Sequence, residues 1–528
     1  MDTKIFRIYG PPGTGKTTAL LNKVDEALSS GVDPTHIGYF AFTRQAANEA
    51  VERACARFHL DKSQLPWFRT LHSFALRLSG IRQEQVMQPE HYKEVGIALG
   101  FNLDVEGSNL SGEDAFDLNK SSSPIVNLMN LARLRKIDLR QQYDESEISE
   151  SWNTVKYVAT ALQEYKNRYQ LFDFTDMLEV FVNESAQFCP RLAVTFVDEA
   201  QDLSPLQWDV AHVLEQHSER IYAAGDDDQA IYRWAGADVE HFINLNGGYE
   251  VLEQSYRVPA SVHPMAERVV HRIKRRVPKK YLPREYIGNV EHIARAEMID
   301  FSEGSWLVLA QAAYFLSDIT ADLRSRGYLF NYRGRRSISE SLSDAVNGWE
   351  QLRKGKQVTG KTARTIYSYM SVNDRVKRGF KKLPALDDDD MVTLDELIAH
   401  HGLIEEHDWR YAKKITNSGY YSVPNIRHMV WHMAMDRLPS ADRAYITALL
   451  RRGEKFNAEP RINLSTIHGS KGGEADNVVL FTEISPAASK AAELAPDDLH
   501  RVFYVGITRT KQNLYLVEPD DATRSYQI

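Results

Sequence analysis

Cysteine is nearly absent: Cys55 and Cys189 are the only two in 528 residues. Two thiols exclude a disulfide framework or a four-cysteine metal site and suit a reducing cytoplasm. Long apolar runs are missing too. No stretch of about 18 apolar residues occurs, and Met1-Asp2-Thr3-Lys4 lacks the layout of a secretion signal. The expectation is a soluble cytoplasmic protein with no membrane contact. Net positive charge is also lacking. The formal charge is −8, so the chain is not a basic nucleic-acid coat, and any nucleic-acid surface must be local. One basic cluster exists. From Arg257 to Arg284, nine Lys or Arg stand against a single acid, Glu267. It reads either as a solvated face or as a phosphate-tracking one. What is present is ordinary globular material, 43% hydrophobic and 26% charged, enough for a sizeable core. The length suggests about three to four domains.

The most informative stretch is Gly10-Pro11-Pro12-Gly13-Thr14-Gly15-Lys16-Thr17, followed by Thr18. It fits the phosphate-loop pattern G-x-x-x-x-G-K-[ST]. The strand-like Ile5–Tyr9 precedes it, and a helical pattern follows from Thr18, the context that pattern requires. Glycines let the backbone approach phosphates, and successive N–H groups at a helix N-terminus face the anion. Lys16 is expected at the β- and γ-phosphates, and the Thr17 hydroxyl at Mg²⁺.

A second half-site follows. The apolar run Leu192–Val197 ends in Asp198-Glu199-Ala200-Gln201-Asp202. Asp198 is expected to hold Mg²⁺, and Glu199 to orient and deprotonate the attacking water. Another strand-like run, Ile221–Gly225, leads into Asp226-Asp227-Asp228-Gln229. Gln229 suits a γ-phosphate sensor. Consecutive acids converge poorly on one ion, so Asp227 and Asp228 read as turn residues. Tyr256 with Arg257, at the end of a further strand, suits a base clamp beside a charge-stabilising finger. Arg509, carried by the helical Arg501–Arg509, is a second candidate finger.

Nucleic-acid candidates sit where strands give way to loops, the usual ligand edge of a doubly wound sheet. Phe42, Arg44, Arg69 and His72 combine cations with rings, and Tyr232 and Trp234 offer stacking faces. Two stretches break the α/β pattern. Residues 79–170 read as a helical insertion interrupted by the polar Ser108–Ser123, with Asp104, Glu106, Glu113 and Asp114 nearby. Residues 336–455 read as a second, with the acid run Asp387–Asp390 as a solvated loop and aromatics at Trp409, Tyr411, Tyr420 and Tyr421.

Taken in order, these blocks resemble the UvrD/Rep-like branch of superfamily 1 helicases. Beside those above, they include Phe42-Thr43-Arg44-Gln45-Ala46-Ala47, Thr70-Leu71-His72-Ser73, Gln254-Ser255-Tyr256-Arg257, Thr466-Ile467-His468-Gly469-Ser470-Lys471-Gly472-Gly473-Glu474 and Tyr504-Val505-Gly506-Ile507-Thr508-Arg509. The resemblance implies an α/β protein with two RecA-like domains, each carrying a mainly helical insertion, and ATP in the cleft between them. Its domains would be 1–78 with 171–253, and 254–335 with 456–528. On that pattern Tyr256 stacks on adenine, Glu474 contacts the ribose, Arg257 and Arg509 are the fingers, and Phe42, His72, Trp234 and His468 lie on the DNA track. It also implies 3′–5′ movement, single-stranded DNA and single/double-strand junctions as partners, replication or repair proteins beyond them, and a monomeric, nucleoid-associated protein of bacterial or phage-like type. Two features depart from the pattern. No Gln precedes Gly10 to read adenine, and Gly469 and Gly473 replace bulkier residues. The alternatives are an ATP-switched DNA-binding factor, a protein-displacing translocase without processive unwinding, and an RNA motor.

Overall fold

The computed structural model describes residues 4–105, 123–406, 425–519 and 521–528. Six short strands build a first sheet: β1 (Ile5–Tyr9), β2 (Ile37–Ala41), β3 (Phe68–Thr70), β4 (Leu192–Val197), β5 (Ser218–Gly225) and β6 (Tyr249–Val251). Their order is β3-β2-β4-β5-β1-β6, and every pairing is parallel. A parallel sheet needs crossovers that cover both faces, and the central strands β2 and β4 are accordingly almost wholly apolar and buried. Alternate residues serve opposite cores. Tyr9, Phe40 and Val197 pack on one side with Phe74 and Trp208; Ile8, Tyr39 and Phe196 pack on the other with Leu20 and Val24.

A second sheet contains β7 (Asn289–Ile293), β8 (Trp306–Ala310), β9 (Phe330–Tyr332) and β10 (Arg335–Arg336). After the small antiparallel pair β11 (Val358–Thr359) and β12 (Met391–Val392) come β13 (Ile462–Thr466), β14 (Ala475–Phe481) and β15 (Thr510–Val517). The order is β10-β9-β13-β8-β14-β15-β7, parallel except for the β9–β10 hairpin. Two helix-flanked parallel sheets are the RecA-like pair expected from the sequence.

Between β3 and β4, helices Pro89–Leu99, Pro124–Leu134 and Trp152–Tyr169 enclose a core of their own around Val95, Leu128, Val158 and Leu162. Between β10 and β13, helices Glu340–Arg353, Gly360–Ser368 and Ser440–Arg452 share one core with the outer face of the second sheet. Most of the Ser108–Ser123 stretch, with Glu106, Glu113 and Asp114, and all four aromatics from Trp409 to Tyr421 lie outside the described residues. Asp387–Asp390 is an exposed turn, with Asp388 paired to Arg364. Among the described residues no helix is long and apolar enough to cross a membrane.

Candidate active site and nucleic-acid track

All the quoted blocks of the first sheet leave the carboxyl ends of their strands, so they collect along one edge. The phosphate loop follows β1, and helix α1 (Lys16–Ser29) begins on Gly15 without a side-chain cap. Its N-terminal N–H groups are thereby left for an anion. Gly13 and Gly15 take φ of 71° and 79°. At Gly13 the need for glycine is twofold, because a Cβ there would fall on Arg257 Cβ and reach Ser255 Oγ. A Gly13→Ala variant should therefore displace Arg257 as well as the loop. We expect the thermal midpoint to fall by a few degrees; an unchanged midpoint would show that this contact does not matter.

Asp198 and Glu199 end β4. The Thr17 hydroxyl donates to Asp198 Oδ2 at 3.3 Å, the Tyr39 hydroxyl at 2.8 Å, and the Glu199 N–H to Asp198 Oδ1 at 2.9 Å. Burial, reinforced by the Glu199 charge, pushes Asp198 up to about 6. Its neighbour goes the other way. Burial alone would raise Glu199, but Lys16, then Lys471, a Gln201 hydrogen bond and Arg509 hold it down to about 2. Lys16 Nζ lies 3.6 Å from Glu199 and donates to the Gly10 carbonyl at 3.1 Å. Two adjacent carboxyls with separated proton affinities can take separate tasks. Glu199 also sits at φ 53°, ψ 42°, in the left-handed region where a non-glycine residue costs about 1–3 kcal/mol. That backbone turn aims its carboxylate at the lysine of the loop.

The second sheet and its connecting strand close the other side. Ser255 Oγ donates to the Pro12 carbonyl at 2.7 Å, and the Tyr256 N–H to the Gly13 carbonyl at 2.9 Å. Tyr256 is thus held beside the loop with its ring 72% exposed. Arg257 Nε donates to Glu474 at 2.6 Å, and Lys511 pairs with the same carboxylate at 2.7 Å. Glu474, expected at a ribose, is here the counter-charge of two cations. Arg509 is buried and donates to Gln229 Oε1 at 2.6 Å. Burial first, and then Arg257, depress it to about 9. Lys16, Lys471 and Arg509 therefore meet around one acid of the first sheet, Glu199, while Arg257 stands by Arg509 and pairs with Glu474.

Two roles were not visible in the sequence. Lys471 reaches across to Asp202 and to the Gln229 carbonyl at 2.8 Å. Gln201 donates to Glu199 and to Asp202, and accepts from the Asp226 N–H at 3.0 Å. Both lie inside quoted blocks, which was the only signal. The reading of Asp227 and Asp228 as plain turn residues is corrected. Their turn is real, but the side chains are buried and, with Asp226, converge on the Lys279 ammonium. Two members of the basic cluster turn inward, Lys279 and Arg276, which grips Asp228 at 2.7 Å through two nitrogens, while Arg275 pairs with Glu240 at the surface. Those pairings take Arg276 and Lys279 out of any phosphate-tracking face.

A ring patch lies across both lobes nearby. Phe42 stacks on Tyr232 at 5.7 Å, and Trp234 stands edge-on to Tyr232 at 6.3 Å and to His468 at 6.1 Å. Trp234 is 52% exposed. Tyr232, expected to offer a stacking face, is instead buried between Phe42 and the Lys471 ammonium, which lies 4.8 Å over its ring. It supports the patch from below. His72 is buried as well, with its proton affinity lowered to about 4 by burial. It lines an internal cavity with Phe42 and Tyr232. Arg69 donates to Ser73 at 3.1 Å, and Arg44 opens helix α2 (Arg44–Phe58), which Thr43 caps.

The pattern that defines the UvrD/REP helicase N-terminal domain matches residues 2–250, and that of the UvrD-like helicase C-terminal domain matches residues 443–519. Together they take in more than half of the chain. The chain is 27% identical over 392 residues to the ATP-dependent DNA helicase PcrA of Leuconostoc citreum, covering 69% of this chain and 50% of that protein. It is 25% identical over 296 residues to PcrA of Staphylococcus aureus and 26% over 301 residues to that of Staphylococcus epidermidis, each match covering 52% of this chain and 38% of the relative. The chain thus spans half or less of the length of the relatives it matches. With the two domain patterns in the order of the two sheets, and the quoted blocks gathered on one cleft, the chain belongs to the UvrD/Rep-like family of superfamily 1 helicases.

Proposed function

We propose that this protein is an ATP-driven DNA helicase or single-strand translocase moving 3′ to 5′. The observation that carries the proposal is the meeting of three cations from two lobes, Lys16, Lys471 and Arg509, around Glu199 beside an uncapped helix N-terminus. A triphosphate is the substrate that such cations and free helix N–H groups would hold. The reading takes 1–78 with 171–253 and 254–335 with 456–528 as the motor domains, and 79–170 and 336–455 as the insertions. Thr17 and Asp198 would hold Mg²⁺, a hydroxyl and one carboxylate leaving room for waters; the ion would neutralise charge on the β- and γ-phosphates.

Hydrolysis then follows from the groups in place. Glu199, kept ionised, takes the proton of the attacking water. Gln229 and Arg509, already joined, meet the γ-phosphate together. The lobes touch through Arg509–Gln229 and Lys471–Asp202. A bound γ-phosphate adds contacts that exist only when the cleft is shut, and its loss removes them. Trp234 and His468 lie beside the same contacts, so opening and closing would shift the rings against a polynucleotide. The PcrA relatives are named as ATP-dependent DNA helicases, which favours DNA over RNA.

The deciding experiment is ATP hydrolysis with and without a single-stranded DNA oligonucleotide, beside an RNA of the same sequence. Strand displacement from a 3′-tailed duplex and streptavidin displacement from a single strand then separate unwinding from bare translocation. Stimulation by neither nucleic acid would overturn the proposal. Stacking on an exposed ring is worth about 1–3 kcal/mol per base. Trp234→Ala is therefore expected to raise the DNA concentration for half-maximal stimulation about tenfold, with unstimulated turnover unchanged. An unchanged DNA requirement would remove Trp234 from the track.

A further inference from the structure

Residues 271–282 leave the second lobe and return to it. Ile273 and Tyr281 belong to the core of the second sheet, whereas Val277, between them, packs against the core of the first. The excursion is anchored at its tip by charge. The Val277 N–H donates to Asp227 Oδ2 at 2.7 Å, Arg276 holds Asp228, and Lys279 Nζ lies 3.2, 2.5 and 2.8 Å from Asp226, Asp227 and Asp228. Arg501, from helix Pro496–Ile507, donates to the Asp227 carbonyl at 2.9 Å. Lys279 also lies 5.4 Å from the ring of Tyr9, the last residue of β1 before the phosphate loop.

What this strap touches matters more than how it is held. Asp226 accepts from Gln229 Nε2 at 2.6 Å, and Gln229 Oε1 accepts from Arg509 at 2.6 Å. The side-chain amide is thus fixed at both ends, and each end is reached from the second lobe: one by Arg509 directly, the other by Lys279 through Asp226. Three carboxylates packed on consecutive residues repel one another. Without a cation among them they would splay or take up protons, and Asp226 would lose the orientation that seats Gln229.

We propose that Lys279 is a positioning residue for ATP hydrolysis: it carries the position of the second lobe to Gln229 by holding Asp226 in place. The proposal rests on the ATPase reading above. A merely structural lysine would weaken the fold without singling out Gln229.

Two measurements test it. The first does not need turnover. In Lys279→Met, amide hydrogen exchange across residues 226–232 should rise at least tenfold while exchange across helix α1 stays within twofold. Equal change in both, or change in neither, overturns the proposal. If this variant does not fold, Lys279→Met with Asp227→Asn reduces the uncompensated charge and takes its place in the same comparison. The second is a cycle with Gln229→Ala. Lys279→Met alone should lower kcat for ATP at least tenfold with KM moved less than threefold, yet add less than twofold in the Gln229→Ala background. Independent, multiplicative losses would show that Lys279 does not act through Gln229. A wild type without ATPase activity would defeat the functional reading, while the exchange result would still decide whether Lys279 orders the Gln229 turn.

Discussion

Lys16→Ala is expected to lower kcat for ATP by about 10³-fold or more, while oligonucleotide affinity stays within about threefold of wild type. Removing one preorganised donor from a phosphoryl or oxyanion site costs roughly 10²–10³. Lys16 does more than donate. It is the first of the groups that keep Glu199 ionised, 3.6 Å away in a half-buried site. Without it, the burial that favours the neutral acid meets less opposition, so Glu199 protonates at higher pH. The sign is fixed: the acid limb of the residual turnover should move to higher pH in Lys16→Ala, because the group that must be deprotonated has become harder to deprotonate. The ring patch of Phe42, Trp234 and His468 does not include Lys16 in its contacts, which is why DNA binding should persist. Turnover within tenfold of wild type would refute the assignment of this loop. Loss of DNA binding alongside turnover would instead mean that the substitution damages the fold.

How much of this was legible in the sequence follows from which interactions are local. The phosphate loop was readable because a strand, a glycine turn and a helix start are fixed by neighbours in the chain. The pairing of apolar runs with polar ends at Val197-Asp198 and Gly225-Asp226 was readable for the same reason. The inter-lobe partners were not. Lys279 meets Asp226–Asp228 across some fifty residues, and Lys471 meets Asp202 across a still longer separation. Charge along the chain shows only an acid triplet in one place and a basic cluster in another. The first is then read as a turn and the second as a solvated or phosphate-tracking face, since the cheapest fate of a lone charge is water. Their mutual burial needs the fold. Tyr232 went astray for a related reason: its block marks a ring near nucleic acid but not which ring is outermost, and Phe42 and Lys471 arrive from elsewhere to cover it.

Arg509→Ala should be as damaging as the loss of Lys16, but for a reason visible before any substrate arrives. An arginine that completes a phosphoryl-transfer site is worth about 10³–10⁵ in rate, so kcat should fall at least about 10³-fold. KM should move by less than tenfold, because the phosphate loop, Tyr256 and Arg257 remain to bind the nucleotide. The structure leaves Arg509 in an unfavourable electrostatic setting. It is buried, its guanidinium is discouraged by that burial and by Arg257, and its proton affinity is depressed to about 9 although Glu199 and Glu474 act in its favour. A base with a depressed folded-state affinity destabilises the fold while it is charged, and the cost fades only as pH rises past that value. At neutral pH the guanidinium is charged all the same, and a bound triphosphate would add to its counter-charges. Arg509→Ala should unfold at a lower temperature than wild type when free of nucleotide, because it loses buried hydrogen bonds to Val505 and Gln229. It should also gain less from a slowly hydrolysed ATP analogue with Mg²⁺. Ligand at 100 times its Kd stabilises by about 2.7 kcal/mol, so the comparison is made at one fixed analogue concentration that saturates wild type. A variant that keeps kcat within threefold, or gains as much from the analogue as wild type does, would show that Arg509 is not the group waiting for the γ-phosphate. Arg257 then becomes the remaining candidate, already neutralised by Glu474 at 2.6 Å and so with less to gain from the substrate.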